Sequence, residues 1–275
     1  MQTITPPRKQ TRLTRGSRAA LVATGLAVAA AAVAVPLVTS RSDGKAPGTG
    51  LVIPEGWRAG QVYAAVDKAL RLPPGSTKKS LPKAHLKLPR AARGNPEGYL
   101  FPASYPLPEG ATPESVLRYM VDLANKRLGG GAITAGAQRR TLTGYQAVTV
   151  ASIVQAEAAT KDDMAKVARV VFNRLERGMP LQMDSTLNYA LRRSTLHTTV
   201  RDTKIDSPYN SYRSTGLPPT PISNPGQAAM RATLNPAPGN WLYFVTVKPG
   251  DTRFTASYEE QQRNVAEFNR LRAGK

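Results

Sequence analysis

The chain has 275 residues, enough for one or two folded units with a substantial core, and its 41% hydrophobic and 20% charged content excludes wholesale disorder. It contains no cysteine and only two histidines, which excludes disulfides, thiolate nucleophiles and Cys-ligated zinc and leaves little for a His-based metal site or triad. The formal net charge of +20 calls for an anionic partner: nucleic acid, anionic lipid or an anionic wall polymer.

In chain order, residues 1–18 carry five basic residues and no acid, a basic tail expected in the cytoplasm. Residues 19–39 follow as the expected span, with AALVATGLAVAAAAVAVPLV at 19–38, a run without charge. At about 1.5 Å per residue a helix of roughly 20 residues spans a hydrocarbon core of roughly 30 Å. A single-pass anchor with residues 41–275 outside the cell is expected from the flanking cations. A cleaved signal peptide stays open as the other reading, since Ala32-Val33-Ala34 resembles a small-residue cleavage site. Either way the protein leaves the cytoplasm, and nucleic acid drops out as a partner.

Residues 40–49 are a polar linker with Gly and Pro. Residues 50–95 are expected as a small βα module: a strand at LVIP, a helix from Ala59 to Leu70 with Val62, Ala65, Val66 and Ala69 on one face, then a Pro- and Lys-rich stretch that is irregular or only briefly helical. Between residues 41 and 93, 11 basic and 3 acidic residues leave a basic face of net +8, and His85 among the lysines is a solvated residue.

Residues 96–275 form the second unit. EGYLFPASYPLP is a structured loop with short extended pieces. Thr112 and Pro113 open a helix through Val116, Met120 and Leu123, and Gly129–Gly131 break the chain without the GK[ST] of a phosphate loop. In the helix 143–159, Val150, Ile153, Val154 and Glu157 fall on one stripe of an amphipathic pattern, so a carboxylate occupies an apolar position. Burial there would raise its pKa, as a general acid near neutral pH requires. The competing reading is a glutamate paired with Arg174 on the next helix. That helix, 161–177, has Thr160 as N-cap, a core face of Met164, Val167, Val171 and Leu175, and Gly178 at its end. The loop 206–226 is long enough to suggest a functional segment, and its Tyr and Asn side chains suit sugar rings. WLYFVTV and TRFTAS around Lys248-Pro-Gly-Asp251 predict a hairpin, and Ser257 with Glu260 predicts a capping box for the last helix, giving an α+β domain.

An ordered set of segments resembles the YceG-like (MltG-type) endolytic murein transglycosylase family: EGYLFPASY at 97–105, ASIVQAEA at 151–158, VARVVFNRLERGMPLQMDSTLNYAL at 167–191, SPYNSYRSTGLPPTPISNPG at 207–226, WLYFV at 241–245 and FTASYEEQQRNV at 254–265. Residues 51–72, which contain VIPEGW, are similar to the family's LysM-like module, so the resemblance implies a membrane-anchored α+β protein with that module ahead of a transglycosylase domain. It implies Glu157 as the catalytic acid and Asn173, Gln182, Asp184, Asn210, Tyr212 and Asn224 as substrate-binding cleft residues. The activity implied is cleavage of MurNAc–GlcNAc bonds in nascent peptidoglycan strands with 1,6-anhydro ends, without metal or cofactor, beside peptidoglycan synthases at the cell membrane. The alternative is a catalytically inactive peptidoglycan-binding or scaffold protein. The chain departs from the family pattern at Gln155, where members often carry a second Glu, at Ala103-Ser104 in place of Asp-Thr, and at Gln261-Gln262, where relatives often place a His.

Overall fold

A computed structural model of the protein describes residues 50–195 and 198–273. The expected basic tail, membrane span and linker, and His197, lie outside the described residues. No helix among the described residues is long and apolar enough to cross a membrane.

The chain enters as strand β1 (Leu51–Val52), turns into helix α1 (Ala59–Ala69) and passes through a short helix α2 (Ser76–Ser80) and two 3-10 turns. The Pro- and Lys-rich stretch is more ordered than its composition suggests because the Asp67 carboxylate gathers it. Gly75 N donates to Asp67 at 2.7 Å, and Thr77 donates through both its amide (2.7 Å) and its hydroxyl (2.6 Å). The lysines of this stretch, Lys78, Lys79, Lys83 and Lys87, face solvent together with His85. Strand β2 (Ser104–Tyr105) returns to pair antiparallel with β1, Leu51 opposite Tyr105. That pairing crosses the expected boundary at 95/96, and one apolar core runs through both segments, from Leu51, Val62 and Val66 to Leu117, Val150 and Met230.

Helix α3 (Pro113–Leu128) starts as expected, with the Thr112 hydroxyl accepting from Ser115 N at 3.3 Å. The glycine break is shorter than expected, since helix α4 (Gly131–Arg139) begins inside it. Helix α5 (Gly144–Glu157) is capped by Thr143 and packs against α6 (Met164–Glu176), α7 (Asp184–Ala190) and α8 (Gln227–Leu234). The amphipathic reading of α5 is corrected here: Tyr145, Ala147 and the run from Val148 through Val154 are buried, so beyond its first turn neighbours cover the helix on all sides. Helix α6 begins three residues later than expected. Thr160 caps a preceding turn, accepting from Asp163 N at 3.2 Å and donating to the Asp163 carboxylate at 2.8 Å. Helices α7 and α8 have 7 and 8 residues, too short for an apolar period to show.

The hairpin forms as predicted from β3 (Tyr243–Lys248) and β4 (Asp251–Thr255). Helix α9 (Tyr258–Ala273) packs on it through Phe268 against Val245 and Val247. Only half of the predicted capping box is made. The Ser257 hydroxyl accepts from Glu260 N at 3.3 Å, while the Glu260 carboxylate accepts from the Thr255 hydroxyl at 2.6 Å. Gln261, at one of the departures from the family pattern, donates to Phe244 O at 3.1 Å and ties α9 to the hairpin.

One glycine lets the 97–105 loop pack closely on Pro221 and Val148. Gly98 has φ +86°, and a Cβ placed there would lie 2.6 Å from Pro221 and 3.0 Å from Val148. Gly98→Ala is therefore expected to destabilise the protein by about 3 kcal/mol, from backbone strain plus overpacking. Urea unfolding checks this, and a loss below about 1 kcal/mol would show that the loop yields.

Candidate active site

Glu157 is the last residue of α5, and the helix stops there because Ala158 turns to extended backbone (φ −75°, ψ 125°). The side chain is 2% exposed. Its Oε1 accepts from Ser185 N at 3.1 Å, at the start of α7. Burial pushes the Glu157 carboxyl up to about 7; the nearby Asp184 carboxyl acts in the same direction, while Ser185 and Arg174 oppose it. A group half-protonated near neutrality can both give and take a proton.

The pairing of Glu157 with Arg174, the competing reading of the sequence, is not formed. Arg174 donates instead to neutral oxygens: Nε to Leu242 O (2.6 Å) and Nη1 to Pro180 O (3.2 Å), Leu181 O (2.7 Å) and the Gln182 side chain (3.2 Å). Its guanidinium also lies over the Tyr243 ring at 5.2 Å. The cation thus acts on Glu157 through space while holding the hairpin entrance to the 180–182 segment.

The other predicted residues divide into two groups. Asp184, 5% exposed, accepts from the Tyr212 hydroxyl at 2.6 Å, and burial raises its pKa. Gln182 stands beside Arg174 in left-handed backbone, φ +51°, with its amide donating to Ser211 O at 2.8 Å. Glu157, Asp184, Tyr212 and Gln182 are thereby brought together around the segment 180–185. The three asparagines spend their amides mainly on backbone. Asn173 Nδ2 donates to Trp241 O (2.8 Å) and Gly239 O (3.3 Å). Asn210 donates to Ile205 O (2.8 Å) and Thr203 O (3.1 Å) and accepts from Tyr212 N (3.1 Å), which aims Tyr212 at Asp184. Asn224, fully buried, accepts from Leu100 N (2.8 Å) and donates to Trp57 O (2.8 Å), binding the 50–57 segment to the 97–105 loop.

Sequence reasoning left the role of one group unread and missed another. Ser185 supplies the amide on Glu157, and nothing in a seven-residue helix signals it. Glu97, 4% exposed, is a second carboxyl that burial pushes up to about 7. A charged residue opening the apolar run GYLFP was the available signal.

The YceG-like family matches residues 26–267. The chain belongs to the YceG-like family. It is 36% identical over 168 residues to the endolytic murein transglycosylase of Bacillus subtilis (strain 168), covering 61% of this chain and 46% of that protein. It is 37% identical over 182 residues to the endolytic murein transglycosylase of Streptococcus pneumoniae serotype 2 (strain D39), covering 64% of this chain and 33% of that one. The chain thus spans less than half the length of these curated relatives. A crystal structure of a YceG-like protein from Listeria monocytogenes superposes with a TM-score of 0.68 at 28% identity, covering 78% of this chain and 74% of that chain. The mixed helix and sheet architecture is therefore that of the YceG-like fold.

Proposed function

We propose that the protein is an endolytic peptidoglycan lytic transglycosylase with Glu157 as its one acid–base residue. The observation that carries this reading is a glutamate ending a buried helix, with its carboxyl held near pKa 7, in a YceG-like chain. Protonated Glu157 donates to the glycosidic oxygen between N-acetylmuramic acid and N-acetylglucosamine as the bond to C1 breaks. The resulting carboxylate then takes the proton of the muramic C6 hydroxyl while O6 closes on C1. The 1,6-anhydro ring forms, the glutamic acid is restored, and no water enters. This differs from the two-carboxylate arrangements of glycoside hydrolases. Asp184, held by Tyr212, supports the reading as a neighbour that keeps Glu157 protonated and as a polar group for the sugar. In this reading Gln182 and Tyr212 hydrogen-bond sugar hydroxyls, while Asn173, Asn210 and Asn224 hold the segments that carry them.

Residues 19–39 are proposed to anchor the chain by a single span, with residues 1–18 in the cytoplasm and the catalytic domain outside the cell, and residues 50–95 to serve as a LysM-like module. Nascent glycan strands at the membrane are the proposed substrate, and peptidoglycan synthases are proposed neighbours. The exposed lysines of the 50–95 segment suit anionic wall polymers or lipid head groups.

The test is mass spectrometry of products from uncross-linked glycan strands, with the rate followed against pH. Anhydro-muramic ends are expected, with kcat/KM falling as pH rises through about 7, because the acid must enter the reaction protonated. Reducing ends would instead make the protein a hydrolase and turn attention to Asp184.

A further inference from the structure

Two buried carboxyl groups grip opposite ends of one short helix. Glu157 accepts from Ser185 N in the first turn of α7, and Glu97 Oε2 accepts from the Tyr189 hydroxyl in its last turn at 3.3 Å. With 7 residues, α7 is below the length at which a helix keeps its own shape in water, so its ends decide where it sits. At the first end Met183 N donates to the Ser211 hydroxyl (2.9 Å), and the Thr186 and Ser211 hydroxyls lie 2.8 Å apart. At the other end Arg58 Nη1 donates to Asn188 O (3.1 Å), with the guanidinium 5.4 Å from the centre of the Tyr189 ring. Glu97 completes that end, and it is itself pinned: Ala59 N donates to Oε1 at 2.9 Å and Asn224 Nδ2 at 3.4 Å.

We infer that Glu97 is a positioning residue for Glu157, acting through Tyr189 and helix α7. The inference rests on Glu157 being the acid of the reaction. The Glu97–Tyr189 bond fixes the far end of the helix whose near end holds the Glu157 carboxylate, and a general acid misplaced by even a fraction of an ångström loses rate without losing substrate. The groups facing Glu157 are Asp184 and Ser185 from α7 and Arg174 from α6. Those facing Glu97 are Arg58, Ala59 and Tyr63 from the start of α1, Tyr189 from α7, Asn224, and Tyr145 from α5. The Ser185 amide favours the charged form of Glu157, so loosening α7 removes that support, and Glu157 then holds its proton to higher pH.

The experiment compares wild type, Tyr189→Phe, Glu97→Gln and the double variant, with Glu157→Gln as reference. It reads kcat and KM on glycan strands against pH. It also reads the titration of the Glu157 carboxyl by carbon-13 NMR, the resonance being assigned by its loss in Glu157→Gln. Each single variant is expected to lower kcat roughly three- to tenfold with KM within about twofold, the effect of one lost hydrogen bond. The Glu157 titration should move up by roughly half a pH unit. The double variant should be no worse than the stronger single one, since Tyr189→Phe removes and Glu97→Gln weakens the same link. If Glu97 were merely structural, melting temperature would fall while kcat per folded molecule and the Glu157 titration kept their wild-type values, and the inference would be overturned. Should Glu97→Gln fail to fold, Tyr189→Phe, which removes one oxygen atom, decides the matter alone. Full activity in Glu157→Gln would sink the acid assignment itself, whereas wild-type behaviour of Tyr189→Phe beside a dead Glu157→Gln would sink only the positioning role.

Discussion

Glu157→Gln is expected to lower strand cleavage by roughly 10²–10⁴-fold, the range for losing a general acid–base group, while leaving the protein folded. The glutamine keeps an oxygen for Ser185 N and matches the shape of the buried side chain, so only the proton is lost. The same change should alter how stability depends on pH. The Glu157 carboxyl titrates near 7 in the folded protein against an ordinary value of 4.5, so between those pH values the folded state holds a proton that the unfolded chain has released. Stability from this group is therefore fully present below about 4.5 and lost as pH rises through about 7. Relative to wild type, Glu157→Gln should gain about 2–3 kcal/mol between pH 5 and pH 8. Glu97, with the same displacement, keeps a similar slope in both proteins and cancels from the difference. Urea unfolding at the two pH values checks this. An unchanged gap would mean that water reaches Glu157 and that burial does not hold its proton.

Arg174→Met carries the largest expected cost in stability, about 4 kcal/mol, because it strips hydrogen-bond donors from several buried oxygens at once. Arg174 is 6% exposed and serves Leu242 O, Pro180 O, Leu181 O and the Gln182 side chain. Methionine fills the volume and supplies no donor. Arg174→Lys should recover less than half of the loss, since an ammonium on a flexible stem cannot reproduce a planar fork reaching Leu242 in one direction and the 180–182 segment in another. In both variants the hairpin entrance and the 180–185 segment should loosen together, seen as faster amide hydrogen exchange at Leu242 and Ser185. A cost below about 1 kcal/mol for the methionine variant would show that those carbonyls find other donors.

The sequence by itself determined much that depends on local chemistry. Thr112 and Thr143 as caps, Gly178 as a stop, the turn around Lys248-Pro-Gly-Asp251 and the inward face of Val62 and Val66 all follow from neighbours within a few residues. Glu157 was legible for the same reason: a carboxylate in an otherwise apolar helix stands out, and the family pattern falls on the same residue. Helices α4, α7 and α8 were not legible, because 7 to 9 residues give no apolar period to read, and packing against α5 stabilises them. Nor could a stripe on α5 reveal that the helix is enclosed from Ala147 to Val154, since enclosure depends on how many neighbours arrive. The polar partners were least visible. Arg174 serving carbonyls rather than Glu157, Asn224 joining residues 57 and 100, and Glu97 meeting Tyr189 across 92 positions are all choices made between distant segments. A buried polar group must find a partner, and only the tertiary structure decides which one is within reach.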